Sequence, residues 1–456
     1  MKATTRNVPL SRRATLLVGA LLLDFLYLLV SPLVLVVLLI VSRGFTRPKV
    51  RRGFLRRLGF SPCRRGERPV VWIHAVSVGE VLVAEPLVRA FQKEHGDWDV
   101  VLSTSTYTGE DVARRRLPDL PVFYFPLDVT PCTSLALRRT RPVAVVLLEL
   151  EVWPGFLLAA RRRGVPVLVA NGRLTERSAR RYRWLGPFGR FLFRQVAAYS
   201  VQSDEYARRF RGLGARPESV EVLGNMKYDR SPPASAARPD ETRALLGWSR
   251  QSGAVILVAG CTHPGEERML SAMLSRLAER QPGLRLVLAP RHVERLVSGE
   301  VESWRCPSPV VCWSELRDRD DGPHDLGENI LLVDTVGDLE RFYAAADLVV
   351  VGGSFVPHGG HNLLEPTRLS RPTLFGPHHE NFKEEARHLL EHGGAICVAD
   401  AVELEKRLGD LLDDPEERRQ LGERARRATD LLKGAVERHL EWLDRQFRLF
   451  LDTESW

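Results

Sequence analysis

The sequence predicts an α/β protein made of two doubly wound, parallel-sheet halves behind an apolar N-terminal anchor. Three observations carry this. Short β-rich apolar runs alternate with helix-length amphipathic stretches after Pro69, and the alternation restarts near Ala254 beyond a Pro/Ala/Ser-rich stretch. Ahead of both, residues 14–42 hold a single charge, Asp24.

The anchor is first in chain order. About 20 apolar residues cross the hydrocarbon core of a bilayer, so the run from Ala14 to Ser42 is long enough to span. Asp24 and Pro32 also allow a tilted or re-entrant anchor, since a carboxylate in hydrocarbon is costly and proline breaks a helical hydrogen bond. The length of the run, the missing A-x-A site and the basic flank argue against a cleaved signal peptide. Lys2, Arg6, Arg12 and Arg13 precede the run, whereas Arg43, Arg47, Lys49, Arg51, Arg52, Arg56 and Arg57 follow it. This asymmetry predicts a body on the cytoplasmic side. With Phe54, Leu55, Leu58 and Phe60 between the basic residues, the flank suits an anionic lipid surface as well as a plain stop-transfer signal.

The net charge of +9 over 456 residues would point to nucleic acid if it were spread along the chain. Residues 1–68 alone hold 14 Lys/Arg against Asp24 and Glu67, which leaves 52 basic and 55 acidic side chains in the body. The basic excess therefore belongs to one end, and no nucleic-acid partner is expected. Six cysteines without CxxC pairs exclude a disulfide framework and a structural zinc site.

In the first half the strands read VVWIHAV, DVVLSTS, PVFYFPL, VAVVLLELE and VPVLVAN, with a helix opening at about Val81 and another over GFLLAARRRG. Residues 230–243, RSPPASAARPDETR, read as a linker. The second half runs AVILVAGCT, LRLVLAP, ILLVDT, DLVVVGGSF and PTLFGP, with ERMLSAMLSRLAER as a helix between. The predicted divisions are 1–68, 69–235 and 236–456, with the charged terminal helix able to return to the first half. Open α/β sheets bind ligands at the carboxyl ends of their strands, so the loops there are the place to look.

HAVSVGE ends in Glu80, in the first turn of a helix whose dipole favours a carboxylate. That placement is ordinary for glutamate as well as suited to catalysis. LLELEVWPG carries Glu149 and Glu151, which strand alternation would set on one side of the pleat, where like charges raise a pKa. Arg173 and Arg177 follow, able to meet anionic groups, and VLGNMKYD sets Lys227 after a Gly-Asn turn. AGCTHPGEE and LAPRHVER place histidines beside strand ends, and Arg291 suits phosphate. VVVGGSFVPHGGHNLLEP supplies paired glycines and then a helix near Asn362, a pattern that cradles phosphates with backbone N–H groups. His358, His361, His378 and His379 lack an HExxH or facial-triad pattern, so no metal is predicted.

Taken in order, SVGE, ELEVWP, NGRLTERS, GNMKYD, THPGEE, PRHVER and GGSFVPHGGHNLLEP resemble the bacterial 3-deoxy-D-manno-octulosonic acid (Kdo) transferases, from the anchor to about residue 400. The resemblance implies a membrane-associated glycosyltransferase of GT-B fold, two facing Rossmann-like domains, moving Kdo from CMP-Kdo to the lipid A precursor (lipid IVA) in lipopolysaccharide synthesis. It implies Glu80 as general base, with Glu149 and Lys227 stabilising the transition state. The implied CMP site comprises Pro290, Arg291, Val336, Gly337, Asp338, Asn362, Leu363, Leu364 and Glu365. The family's usual Met-Gly-Glu is Val-Gly-Asp here. Because CMP leaves with one phosphate, an inverting transfer without metal or cofactor is expected. Nucleotide-sugar epimerases and hydrolases share the architecture, and a tethered binding protein could keep the fold without turnover; the anchor and the intact Glu80, Glu149, Lys227 and Arg291 argue against each.

Overall fold

The computed structural model describes Asp24 and residues 56–64, 66–229, 238–294, 304, 306–317 and 324–452. The rest of the anchor, its flank up to residue 55 and most of the linker lie outside the described residues. Two compact units result, one comprising Met1–Arg230 with Leu432–Trp456 and the other Ser231–Leu431. Among the described residues, no helix is long and apolar enough to cross a membrane.

The first unit holds β1 (Val70–His74), β2 (Asp99–Thr104), β3 (Val122–Tyr124), β4 (Ala144–Leu148), β5 (Val167–Gly172), β6 (Ala198–Val201) and β7 (Val220–Val222). All pair in parallel, in the order β3-β2-β1-β4-β5-β6-β7. Helices cover both faces of a parallel sheet, which is why β4 reads AVVLL without polar alternation and is buried throughout. One core cluster packs the Val78–Glu94 helix and the Ala435–Asp452 helix on one face, where Phe447 stacks on Trp98 at 5.3 Å and meets Phe91 edge-on at 6.0 Å. The other face closes around Trp72, Phe123, Phe125 and Phe156. The terminal helix therefore belongs to the first unit. Asp24, the charge inside the apolar run, accepts the Thr130 N–H at 3.0 Å and so caps the Thr130–Thr140 helix, whose N-cap Val129 has no side chain to do so.

The second unit repeats the plan with β8 (Val255–Thr262), β9 (Leu284–Pro290), β10 (Val310–Cys312), β11 (Ile330–Leu332), β12 (Leu348–Val351), β13 (Thr373–Phe375) and β14 (Ile396–Cys397). The order is β10-β11-β9-β8-β12-β13-β14, again parallel. Arg243, 1% exposed, bridges to Asp347, whose carboxylate also accepts the Ile256 N–H at 2.8 Å. In both sheets the strand order reverses beside the first strand, between β1 and β4 and between β8 and β12. Ligands bind outside the carboxyl ends at such reversals.

Candidate active site

Glu80 and Glu149 follow the two strands that flank the reversal in the first unit. The helix after β1 starts at Val78, three residues before the expected opening, because Ser77 is its N-cap. Ser-Val-Gly-Glu is a capping box in outline: Ser77 Oγ accepts the Glu80 N–H at 3.5 Å and donates to Glu80 Oε1 at 3.0 Å, while Glu80 Oε2 accepts the N–H of Val76, one residue before the cap, at 2.8 Å. Those bonds favour the charged carboxylate, yet burial outweighs them and Glu80 is pushed up to about 7, with the Glu149 charge adding to the rise.

The expectation for Glu149 and Glu151 was strand alternation, and the backbone corrects it. Strand β4 ends at Leu148, and Glu149 takes a left-handed φ of 56°. The two carboxylates approach Glu80 through this turn instead of a shared pleat. Glu151 is raised to about 7, mainly by burial and then by the Glu80 charge. Glu149 is also raised by burial, while Arg173 and Lys227 pull it back. Burial, more than the pairing of like charges, sets all three. Glu149, Asn171 and Cys261 share a φ of 56° and lie just beyond or near the ends of β4, β5 and β8; left-handed backbone at a non-glycine residue costs of order 1–2 kcal/mol and concentrates at functional sites.

Lys227 is set by a chain of backbone contacts. Asn225 Oδ1 accepts the Lys227 N–H at 3.0 Å, Asn225 Nδ2 donates to Gln202, and Asn171 Oδ1 accepts the Met226 N–H at 3.0 Å. The ammonium lies over the Tyr228 ring at 4.9 Å. Asp229 then caps the terminal helix, accepting the Gly434 and Val436 N–H groups. Glu80, Glu149, Glu151, Arg173 and Lys227 thus form one group in the first unit.

In the second unit, the loops after β8 and β12 flank the other reversal. Gly352 and Gly353 follow β12, and Gly353 has a φ of 64°. The N–H groups of Gly353, Ser354 and Phe355 converge on the Glu266 carboxylate at 2.7, 3.2 and 2.9 Å, and His263 N–H donates to it at 2.9 Å. This turn, expected to cradle phosphate, is filled by a glutamate 2% exposed. Glu266 stood in the THPGEE motif but showed no sign of that role, because three of its four partners are 87–89 residues away.

His263 Nε2 lies 2.9 Å from His361 Nε2, its ring stacks on His358 at 4.0 Å, and His292 meets it edge-on. His361 is held down to about 4 by burial and then by Arg291 and the neighbouring rings, so it is neutral near pH 7. Arg291, at the end of β9 after Pro290, also acts on Glu365 and Cys261. Asn362 accepts the Leu364 N–H and donates to Glu365 at 3.0 Å; the short Leu364–Thr367 helix begins two residues after the expected start. Val336 is 88% exposed, Gly337 has a φ of 102° and Asp338 accepts from Thr335. That segment connects to Glu365 through Glu340, which pairs with Arg368 at 2.6 Å. His379 packs edge-on against Phe375, and the His378 backbone N–H donates to the Ser354 carbonyl at 3.0 Å. Among the described residues, the His and carboxyl groups close enough to share an ion are Glu94, His95 and Asp444.

Residues 52–230 match the family described as 3-Deoxy-D-manno-octulosonic-acid transferase (kdotransferase). A 3-deoxy-D-manno-octulosonic acid transferase of Chlamydophila psittaci is 32% identical over 406 residues, covering 88% of this chain and 89% of the relative. The chain belongs to the Kdo transferase family. The Haemophilus influenzae Kdo transferase is 31% identical, over 92% of this chain and 96% of its own. A glycosyltransferase structure from Rickettsia africae ESF-5 covers 85% of this chain and 99% of its own at 11% identity and a TM-score of 0.53, which shows the fold alone. That fold is GT-B, and this Kdo transferase is a glycosyltransferase of lipopolysaccharide synthesis.

Proposed function

We propose that the chain transfers Kdo from CMP-Kdo to the lipid A precursor lipid IVA with inversion, on the cytoplasmic face of the inner membrane, with Glu80 as general base. One observation carries the base assignment: Glu80 sits near 7, where a carboxylate is both available and basic enough to take a proton. In the step, the acceptor hydroxyl oxygen bonds to the anomeric carbon as its proton passes to Glu80, and the carbon–oxygen bond to CMP breaks. Lys227 and Glu149 stabilise the developing charge. Arg291, with Pro290, the 336–338 segment and Asn362 to Glu365, receives CMP. CMP departs with a single phosphate, so the reaction needs neither metal nor cofactor.

The test is full-length protein with CMP, Kdo, a CMP-Kdo synthetase and tetra-acylated lipid A precursor, the synthetase being removed before EDTA is added. A mass gain of one or more Kdo units on the lipid supports the reading and counts the additions. Release of CMP without a lipid product overturns the acceptor assignment.

A further inference from the structure

We infer that Glu94, His95 and Asp444 form a site for a divalent transition-metal ion, best matched by zinc, which staples the terminal helix to the helix after β1. The site stands apart from the transfer chemistry. Glu80 and Glu94 are 14 residues apart on the Val78–Glu94 helix, about 21 Å along its axis. Whatever acceptor the enzyme uses, the metal acts on the fold.

The donors converge from distant parts of the chain. His95 is the C-cap of the first helix, and its Nε2 lies 2.8 Å from Asp444 Oδ1 on the Ala435–Asp452 helix, 349 residues later. That separation is why no sequence motif contains the group. Glu94 joins them, so that one ligand atom from each of the three residues lies within 4.8 Å of the other two. Ligand atoms around a tetrahedral zinc stand about 3.4 Å apart at bond lengths of about 2.1 Å. Glu94 can close the difference: it is exposed, and among the described residues its side chain makes no hydrogen bond or ion pair.

An ion pair accounts for His95 and Asp444 but leaves Glu94 unexplained. Glu94 ends its helix, where the dipole disfavours a carboxylate, and it stands beside a second carboxylate. A divalent ion turns both repulsions into attractions. The imidazole is held ready for it. The His95 N–H donates to the Phe91 carbonyl at 2.8 Å, the His95 carbonyl accepts from Trp98 at 3.1 Å, and the ring packs 4.6 Å from Phe91 and 6.0 Å from Trp98. A ligand fixed by packing loses little freedom on binding. His95 also lines a surface depression of about 440 Å³, which gives an ion its way in.

The donor set selects the ion. One imidazole with two carboxylates suits zinc and its neighbours in the first transition row, whereas magnesium and calcium take oxygen ligands. Three protein ligands leave the fourth tetrahedral position to water. Asp444 is one helical turn before Phe447, so the ion sits beside the Phe91, Trp98 and Phe447 rings that seat the terminal helix.

The test uses full-length protein without a polyhistidine tag, solubilised in detergent, stripped with EDTA, dialysed and titrated with zinc chloride in a calorimeter. Wild type should bind a zinc ion that Glu94→Gln holds about 10-fold more weakly or worse and that His95→Gln loses. Glu94→Gln alters only an exposed side chain, so the fold is not at stake, and it separates a metal site from a plain His95–Asp444 pair. No zinc bound by wild type, or equal affinity in wild type and Glu94→Gln, would overturn the site. Hydrogen exchange reads the staple: zinc should slow amide exchange in residues 435–452 of wild type and leave His95→Gln unchanged. Zinc bound without that protection would overturn the staple, and equal binding of magnesium would overturn the choice of ion. None of these readouts depends on Kdo transfer, so a failed transfer assay leaves them intact.

Discussion

His439 Nε2 accepts the Asn171 backbone N–H at 3.1 Å, so a side chain on the terminal helix secures the end of the fifth strand. Its Nδ1 donates to the Ala435 carbonyl at 2.7 Å, which fixes the tautomer that leaves Nε2 an acceptor. Asn171 in turn holds Met226, next to Lys227. His439→Ala should cost about 2–4 kcal/mol in a denaturant titration, from the cavity and the orphaned N–H, and should lower kcat through displacement of Lys227. Burial holds His439 down to about 4. Its share of stability is therefore present above about pH 6.5 and lost as pH falls towards 4. His439→Gln, which keeps an acceptor, should remove that acid slope while recovering part of the stability.

Transfer should rise with pH through about 7 as Glu80 ionises. Glu80→Gln should lower kcat by at least about 100-fold and abolish that limb in a pH–rate profile. A variant that kept near-normal turnover would defeat the assignment of the base.

Glu151 offers a stability test free of the base assignment. Its carboxyl is raised from about 4.5 to about 7 in the fold. A raised pKa gives stability below pH 4.5 that is lost as pH climbs through 7, up to about 3 kcal/mol at full ionisation. Glu151→Gln should therefore raise Tm at pH 8 more than at pH 5 in thermal unfolding followed by circular dichroism.

Lys227 helps to hold the Glu149 pKa down against burial. Lys227→Met should lower kcat about 10- to 100-fold, with the deficit widening as pH falls, because a Glu149 without the Lys227 charge takes up a proton more readily. Lys227→Arg should recover part of the loss at every pH.

Glu266 gathers four backbone N–H groups at the loops after β8 and β12. Glu266→Ala orphans all four and should cost about 3–5 kcal/mol. Glu266→Gln should also destabilise, since an amide NH2 would face N–H donors. Calorimetric titration with CMP should show weaker binding in Glu266→Gln at a temperature where it remains folded.

Both parallel sheets could be read from the sequence because strands covered on two faces are written as unbroken apolar runs, as in AVVLL and LVVV. The site was partly legible. Glu80 was singled out through its strand-to-helix position, which the structure keeps, whereas the spacing of Ser77 and Glu80 that makes the cap went unread. Local periodicity could not report backbone handedness, so the turn at Glu149 was mistaken for a pleat. Nor could it foresee Glu266 filling the glycine turn, or His263 meeting His361 98 residues later; both follow from β8 and β12 being neighbours, a fact of topology. Tyr182 and Trp184 likewise share one short stretch, yet the fold turns one inward and leaves the other in solvent.

The return of the terminal helix has a consequence for biogenesis. Trp442, Leu443, Phe447 and Phe450 complete the core of the first unit, yet they follow the whole second unit in the chain. At roughly 5–20 residues per second of synthesis, the intervening 200 or so residues put on the order of 10–40 s between the two parts of that core. During that interval the nascent first unit exposes the apolar seat of its last helix. The half carrying the carboxylates can finish folding only after the second unit has been synthesised, so a chain stopped before that helix would lack a stable carboxylate site.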